Sequence, residues 1–186
     1  KDGSGNFKYA RKLIQFLKYY GIDGIGINPE GYWSATLNEN FSSFLAECHK
    51  VAREENWPFH VDWYAFVSNS GGLSDNGCSL GIGENDKWFQ KNGEPVTDVF
   101  FLNYNWGENQ LIKSVEAAKT LGRSTFDVYA GFDQQGRGYG LRWSALMRQP
   151  VSVVVWGAHD RSQLYASSTE GGTSDLAIQK EYQTKQ

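Results

Sequence analysis

An amide and a carboxylate two residues apart, Asn28 and Glu30, flank Pro29 at the end of an apolar run over residues 21–27. Strand side chains alternate between faces, so a strand over 22–30 predicts that both point the same way. The pair then sits at a strand's C-terminal end, where α/β proteins carry out their chemistry. One carboxyl can move a proton. A neutral amide beside it can orient a substrate group without adding a second negative charge. Pro29 biases Asn28 toward extended backbone, which helps to aim it.

Polar and aromatic residues recur at the other predicted strand ends. Residues 59–67 alternate around His60, Asp62 and Tyr64, with Trp63 between them. Residues 98–106 finish in Asn103, Tyr104, Asn105 and Trp106. Residues 125–132 run into Asp133, Gln134 and Arg137, and 151–156 end in Trp156 ahead of His159 and Asp160. Loop capping explains Asn, Asp and Gly in such places, but it does not explain Tyr and Trp. Residues from several strand ends therefore read as one shared cleft. Asp62 fits either a supporting partner or a buried ion pair with an arginine. His49, His60 and His159 lie on different elements without ligand spacing, so no metal is expected. His49 reads as a surface residue of its helix. No phosphate-binding loop or nucleophile elbow is present.

These residues need a scaffold. Apolar spacing at Leu13, Phe16, Leu17 and Tyr20 predicts a helix over 7–20. A second helix is predicted over 40–57, with Phe41, Phe44, Leu45, Cys48, Val51 and Ala52 on one face and Pro58 as its stop. A third spans 108–121, with Leu111, Ile112, Val115 and Ala118 inward. Short helices are expected at 87–91 and 141–147, and a final one from Ser174. The stretch 68–83 is a Gly/Ser/Asn loop too long for a simple connection, which suggests a function. Helix and strand alternate throughout, so the fold class is α/β with about five parallel strands. The chain has 186 residues, 40% of them hydrophobic, enough for one packed core. A net charge of -3 and scattered Lys and Arg argue against a nucleic-acid partner. No apolar run approaches the roughly 18–20 residues of a membrane-spanning helix. Cys48 and Cys78 read as free thiols. Aromatics make up 15% of the chain; they suit either a large core or stacking on sugar rings.

In order along the chain, four blocks resemble glycoside hydrolase family 85, the endo-β-N-acetylglucosaminidases that act on N-glycans. The first is Tyr20-Gly21-Ile22-Asp23-Gly24, closing in Ile27-Asn28-Pro29-Glu30. The second is Asp62-Trp63-Tyr64. The third is Phe101-Leu102-Asn103-Tyr104-Asn105-Trp106. The fourth is Gly131-Phe132-Asp133-Gln134-Gln135-Gly136-Arg137-Gly138. Two positions depart from the family pattern: Ala65 stands where Asp is usual, and Ile25 where Trp is usual.

The resemblance implies a (β/α)8 barrel of the TIM type, a fold of about 250 residues. Three βα units precede the Asn-x-Glu strand in that family. Residues 1–186 are thus expected to be a partial catalytic barrel, approximately strands four to eight, with the first three strands absent from this chain. An open flavodoxin-like sheet is the alternative. The activity implied is hydrolysis of the chitobiose core by a substrate-assisted mechanism, which needs no protein nucleophile and only one carboxylate. Glu30 would be the general acid and then the base, in an aromatic-lined cleft. Asn28 and Tyr64 would hold the acetamido group. Trp63, Asn103, Tyr104, Trp106, Trp156 and Asp133 would contact the glycan, although Asp133 and Arg137 read first as an ion pair pinning their loop. A family 18 chitinase-like hydrolase, or a glycan-binding module that has lost turnover, is the alternative function. No cofactor is implied. The partner is an N-glycan or glycoprotein oligosaccharide, together with the missing N-terminal part of the same protein. The family suggests a bacterial secreted, surface, periplasmic or cytosolic setting.

Overall fold

The computed structural model describes residues 7–73, 75–133 and 142–157. Gln134, Arg137, His159, Asp160 and the helix expected from Ser174 lie outside the described residues. The chain divides into two compact units, residues 1–130 with 142–152, and residues 131–141 with 153–186.

In the first unit, α1 (Lys8–Tyr20) and α2 (Ala35–Glu54) pack side by side. Their contact is made by Ala10 and Ile14 against Cys48, Val51 and Ala52, with Phe7, Leu13, Phe44, Trp57 and Phe59 around it. The buried stripe of α1 is Ala10, Ile14 and Leu17. Phe16 and Tyr20, expected inward, are mostly exposed, because the true stripe is rotated by one position. Helix α2 starts five residues earlier than predicted. Ser34 caps it, its hydroxyl accepting from the Leu37 amide at 3.2 Å, which stabilises a helix start by about 1 kcal/mol. His49 is a correction to the sequence reading: it is buried, since it lies one turn from Leu45 and Ala52 on the same stripe.

The main sheet has the strand order β1 (Gly24–Ile27), β2 (His60–Tyr64), β5 (Val99–Leu102), β6 (Val128–Asp133) and β7 (Ser152–Trp156). The pairs β1–β2, β2–β5 and β5–β6 are parallel. Neighbours in the sheet follow chain order without a reversal. That is the order of a barrel wall, and a flavodoxin-like sheet would reverse about its first strand. The short helix expected at 87–91 is a single 3-10 turn at Asp86–Trp88, and strands β3 (Gln90–Lys91) and β4 (Glu94–Pro95) then form a hairpin. Asn92 and Gly93 take positive φ at its turn, the tight-turn signal that the sequence reading passed over. Helix α3 (Glu108–Thr120) buries Leu111, Ser114, Val115, Ala117 and Ala118. Ile112 is exposed, contrary to expectation. A four-residue helix, α4 (Trp143–Leu146), precedes β7.

The two faces of the sheet differ. Ile25, Ile27 and Val61 pack against Leu45 of α2. Trp63 and Phe100 are fully buried on that helical side. Gly26, His60 and Asp62 are exposed on the other face, where a closed barrel has its interior. Tyr64 shares their face by the period-two rule, beside Phe101 in register.

Candidate active site

Strand β1 ends at Ile27, three residues short of the prediction. Proline cannot donate to a neighbouring strand, and the chain turns there: the Glu30 amide donates to the Asn28 carbonyl at 3.0 Å. This i to i+2 bond is that of a γ-turn, for which the fixed φ of Pro29 is suited. The pair therefore meets by a turn, whereas the sequence reading expected strand alternation. Asn28 Nδ2 donates to Glu30 Oε1 at 3.3 Å. Both residues are exposed, and Pro29 between them in the chain is buried. The desolvating wall expected around Glu30 is not formed by the described residues.

Strand β2 ends in a similar way, with the Phe66 amide donating to the Tyr64 carbonyl at 2.8 Å. Ile27 pairs with Trp63, so Asn28 and Tyr64 are the next positions on adjacent strands. The Tyr64 ring lies 5.2 Å from Phe101 edge-on, 6.0 Å from Tyr104 and 6.2 Å from Phe66. Sequence reasoning missed Phe66 and Phe101, although counting back by twos from Asn103 would have put Phe101 on the Tyr64 face.

Other expected contacts have different surroundings. Trp63 is fully buried, stacked on Trp88 at 4.1 Å, so its indole fills the core and offers no face to a sugar. Trp106 is buried too; the Arg142 guanidinium lies 5.6 Å over its ring and donates to its carbonyl. Both are corrections: Trp63 points to the helical side of the sheet beside Phe100, and Trp106, beyond the end of β5, is buried in the loop that follows. The Asn103 amide is occupied by the protein. Its Nδ2 donates to the Asn76 carbonyl at 2.8 Å, and its Oδ1 accepts from the Tyr104 amide at 2.6 Å. It fastens the long loop after β2. Asp62 is exposed and pairs with His60 at 2.9 Å on the open face, so it is not a buried residue paired with an arginine. In the second unit, Asp133 is half-buried at the end of β6 and Trp156 is half-exposed at the end of β7.

The loop after β2 is a folded body. Asn85 accepts from the Gly81 amide and donates to the Ser79 carbonyl, each at 2.9 Å. Asn69 donates to Asp86 at 2.7 Å, and Ser114 of α3 accepts from the Leu80 amide at 2.8 Å. Trp88 and Phe89 are core residues. Toward the strand starts, a recess of about 310 Å³ is lined by Asp23, Gly24, Ile25, Gly26, His60 and Asp62. It lies at the end of the sheet opposite to Asn28 and Glu30, the end that serves stability in barrels of this type. Both cysteines are free and buried, and desolvation pushes the Cys48 thiol up to about 12, so it is no nucleophile. Among the described residues, no group of three His, Cys, Asp or Glu side chains could hold a metal ion, and no helix is long and apolar enough to cross a membrane.

The profile of glycosyl hydrolase family 85 matches residues 1–177. Cytosolic endo-beta-N-acetylglucosaminidase 1 of Arabidopsis thaliana is 32% identical over 139 residues, covering 74% of this chain and 19% of that protein. The cytosolic endo-beta-N-acetylglucosaminidase of Danio rerio is 34% identical over 129 residues, 69% of this chain and 17% of that protein. The crystal structure of the Spr0440 glycoside hydrolase domain, Endo-D from Streptococcus pneumoniae R6, superposes with a TM-score of 0.80 at 25% identity, covering 97% of this chain and 29% of that one. The chain thus spans under a fifth of the length of these two curated relatives.

Proposed function

The chain belongs to glycosyl hydrolase family 85, and from that premise we propose that the protein is an endo-β-N-acetylglucosaminidase cleaving the β-1,4 bond of the N-glycan chitobiose core. Residues 1–186 are read as part of its catalytic barrel, the fourth to eighth strands. The observation that carries the reading is the Asn28–Glu30 contact at 3.3 Å, at the C-terminal end of a parallel strand.

In the mechanism we propose, the oxygen of the substrate's own 2-acetamido group attacks the anomeric carbon. The C–O bond to the departing sugar breaks, and its oxygen takes the proton of the Glu30 carboxyl. An oxazoline-type ring is left on the substrate. Water then attacks the anomeric carbon, gives its proton to the Glu30 carboxylate, and the ring opens with retention. Asn28 acts on the acetamide. With Nδ2 turned to Glu30, its Oδ1 becomes the acceptor for the acetamido N–H. That bond holds the group in attack geometry and strengthens as positive charge develops on the ring. Tyr64, on the neighbouring strand, donates its hydroxyl to the same acetamide. Tyr104 backs the Tyr64 ring. Trp156 and Asp133 remain candidates for the glycan surface.

The test is release of glycan from a chitobiose-core glycoprotein by the wild-type protein and by Glu30→Gln. Loss of the acid should slow turnover by about 10²–10⁴-fold. Equal hydrolysis by both proteins would remove Glu30 from the mechanism. Glycan binding without any hydrolysis by the wild-type protein would favour a binding module instead.

A further inference from the structure

We infer that the turn at residues 68–72 is the positioning element of the loop that carries Glu30, with Asn38 and Gly71 as its positioning residues. This rests on the reading of Glu30 as the acid.

Glu30 sits on an exposed connection between β1 and α2 that makes few contacts of its own. Three residues beyond it, Trp33 is tied down. Its amide donates to the Gly71 carbonyl at 3.1 Å. Its ring packs edge-on against Phe41, Trp63 and Trp88, with centroids 5.4–5.9 Å away. The approach at Gly71 is closer than any other residue allows. A Cβ there would lie 1.7 Å from the Trp33 carbonyl oxygen, and Gly71 has φ +110. A second tie comes from Asn38, in the first turns of α2. Its Nδ2 donates to the Ser68 carbonyl at 3.0 Å and reaches that of Asn69 at 3.5 Å. Its Oδ1 is buried without a protein partner among the described residues. A buried amide that leaves its acceptor unpaired is a costly choice for a helix. It makes sense if the two bonds to the turn are what the position is for.

The turn has its own anchors, so it can serve as a fixed reference. The Ser68 amide donates to the Gly72 carbonyl and that of Asn69 to the Glu84 carbonyl, each at 2.6 Å. The Asn69 side chain reaches Asp86, and Trp88 Nε1 donates to the Ser68 carbonyl at 3.4 Å. Displacing the turn would move the Trp33 amide, and with it Gly31 and Glu30.

The experiment uses the full chain and two substrates of the same donor sugar. One is the natural glycan, whose alkoxide leaving group needs a proton. The other is an aryl glycoside, whose phenolate leaves without one. For Gly71→Ala, kcat on the natural glycan should fall roughly 10–100-fold with KM unchanged, since small misplacements of a reacting group have effects of that size. On the aryl glycoside kcat should stay within about threefold of wild type. A fall of equal size on both substrates, or on neither, overturns the proposal. If Gly71→Ala does not fold, Asn38→Ala decides by the same pair of rates, because alanine suits the helix and removes the two bonds to the turn. Should Glu30→Gln hydrolyse the natural glycan like wild type, the acid reading fails instead, whatever the two positioning variants do.

Discussion

Two loops leave neighbouring strands of this sheet, and they are built on opposite plans. The connection after β1 is short and exposed, and its chemistry-bearing atoms are held by one side-chain contact and a γ-turn. The connection after β2 is long, and it buries Ser68, Ser79, Leu80, Asn85, Trp88 and Phe89. The difference separates two tasks. Groups that must reach a substrate cannot also be packed, so the loop that carries them draws its rigidity from a neighbour. The neighbour buries its side chains and can supply that rigidity.

The largest way to break that contrast is Trp88→Ala. It removes the ring stacked on Trp63, at the centre of the packed loop. Such deletions destabilise by about 3–5 kcal/mol, measured as a drop in the urea midpoint. An unchanged midpoint would mean that the loop is a surface feature after all. Asn28→Ala should do the reverse. The residue is exposed, so stability should hold while kcat on a natural glycan falls about 100-fold, or about 2.7 kcal/mol in the barrier. A variant that keeps full turnover ends the case for the amide. Smaller again is Asn85→Ala. Two backbone groups of the packed loop lose their partner, which should cost about 1–3 kcal/mol of stability, with kcat per folded molecule unaltered.

The same contrast explains how much was legible beforehand. The alternation of apolar helices and strands, and the polar strand ends, identify the parallel sheet and its working end, because both follow from local periodicity. Asn28 and Glu30 are recognisable for their types and spacing, yet the reason they meet is a proline turn that alternation does not describe. Trp63 and Trp106 were misread because a tryptophan at a strand end suits a sugar face and a core equally well; only the register, which sets Trp63 beside Phe100, decides. The role of Asn103 in fastening the loop was not legible because its partner, Asn76, is 27 positions away in the chain. From its Gly, Ser and Asn content the packed loop reads only as a connection too long to be simple, with no sign of its core. Those residues are there for turns and for side-chain bonds to backbone, which composition does not distinguish from disorder. His49 was the avoidable error, since Leu45 and Ala52 already marked its stripe.

The smallest effect sharpens the comparison by pH. His49 lies on α2, the helix whose N-terminal end follows the Glu30 loop. Its Nε2 is 3.3 Å from the Val96 carbonyl and 3.5 Å from Asp98. Burial holds its pKa below the ordinary histidine value, with Arg53 and Arg123 acting in the same direction, against Asp98 and the Val96 carbonyl. Unfolding exposes the ring to water and restores its ordinary affinity for a proton. The unfolded chain therefore binds more protons than the folded one between the folded pKa and about 6.5. Stability from this group is complete above that range and is lost as pH falls through the folded pKa. Glu39 and Glu108, whose carboxyls are held low by Lys91 and Arg148, lose their share only in more acid solution. A urea midpoint measured between pH 7 and 5 should thus decline, and His49→Gln should flatten the decline. If the slope is the same in both proteins, the scaffold's acid sensitivity lies elsewhere. If it flattens while the pH dependence of kcat stays in place, then scaffold and site titrate through different groups, as their separate construction requires.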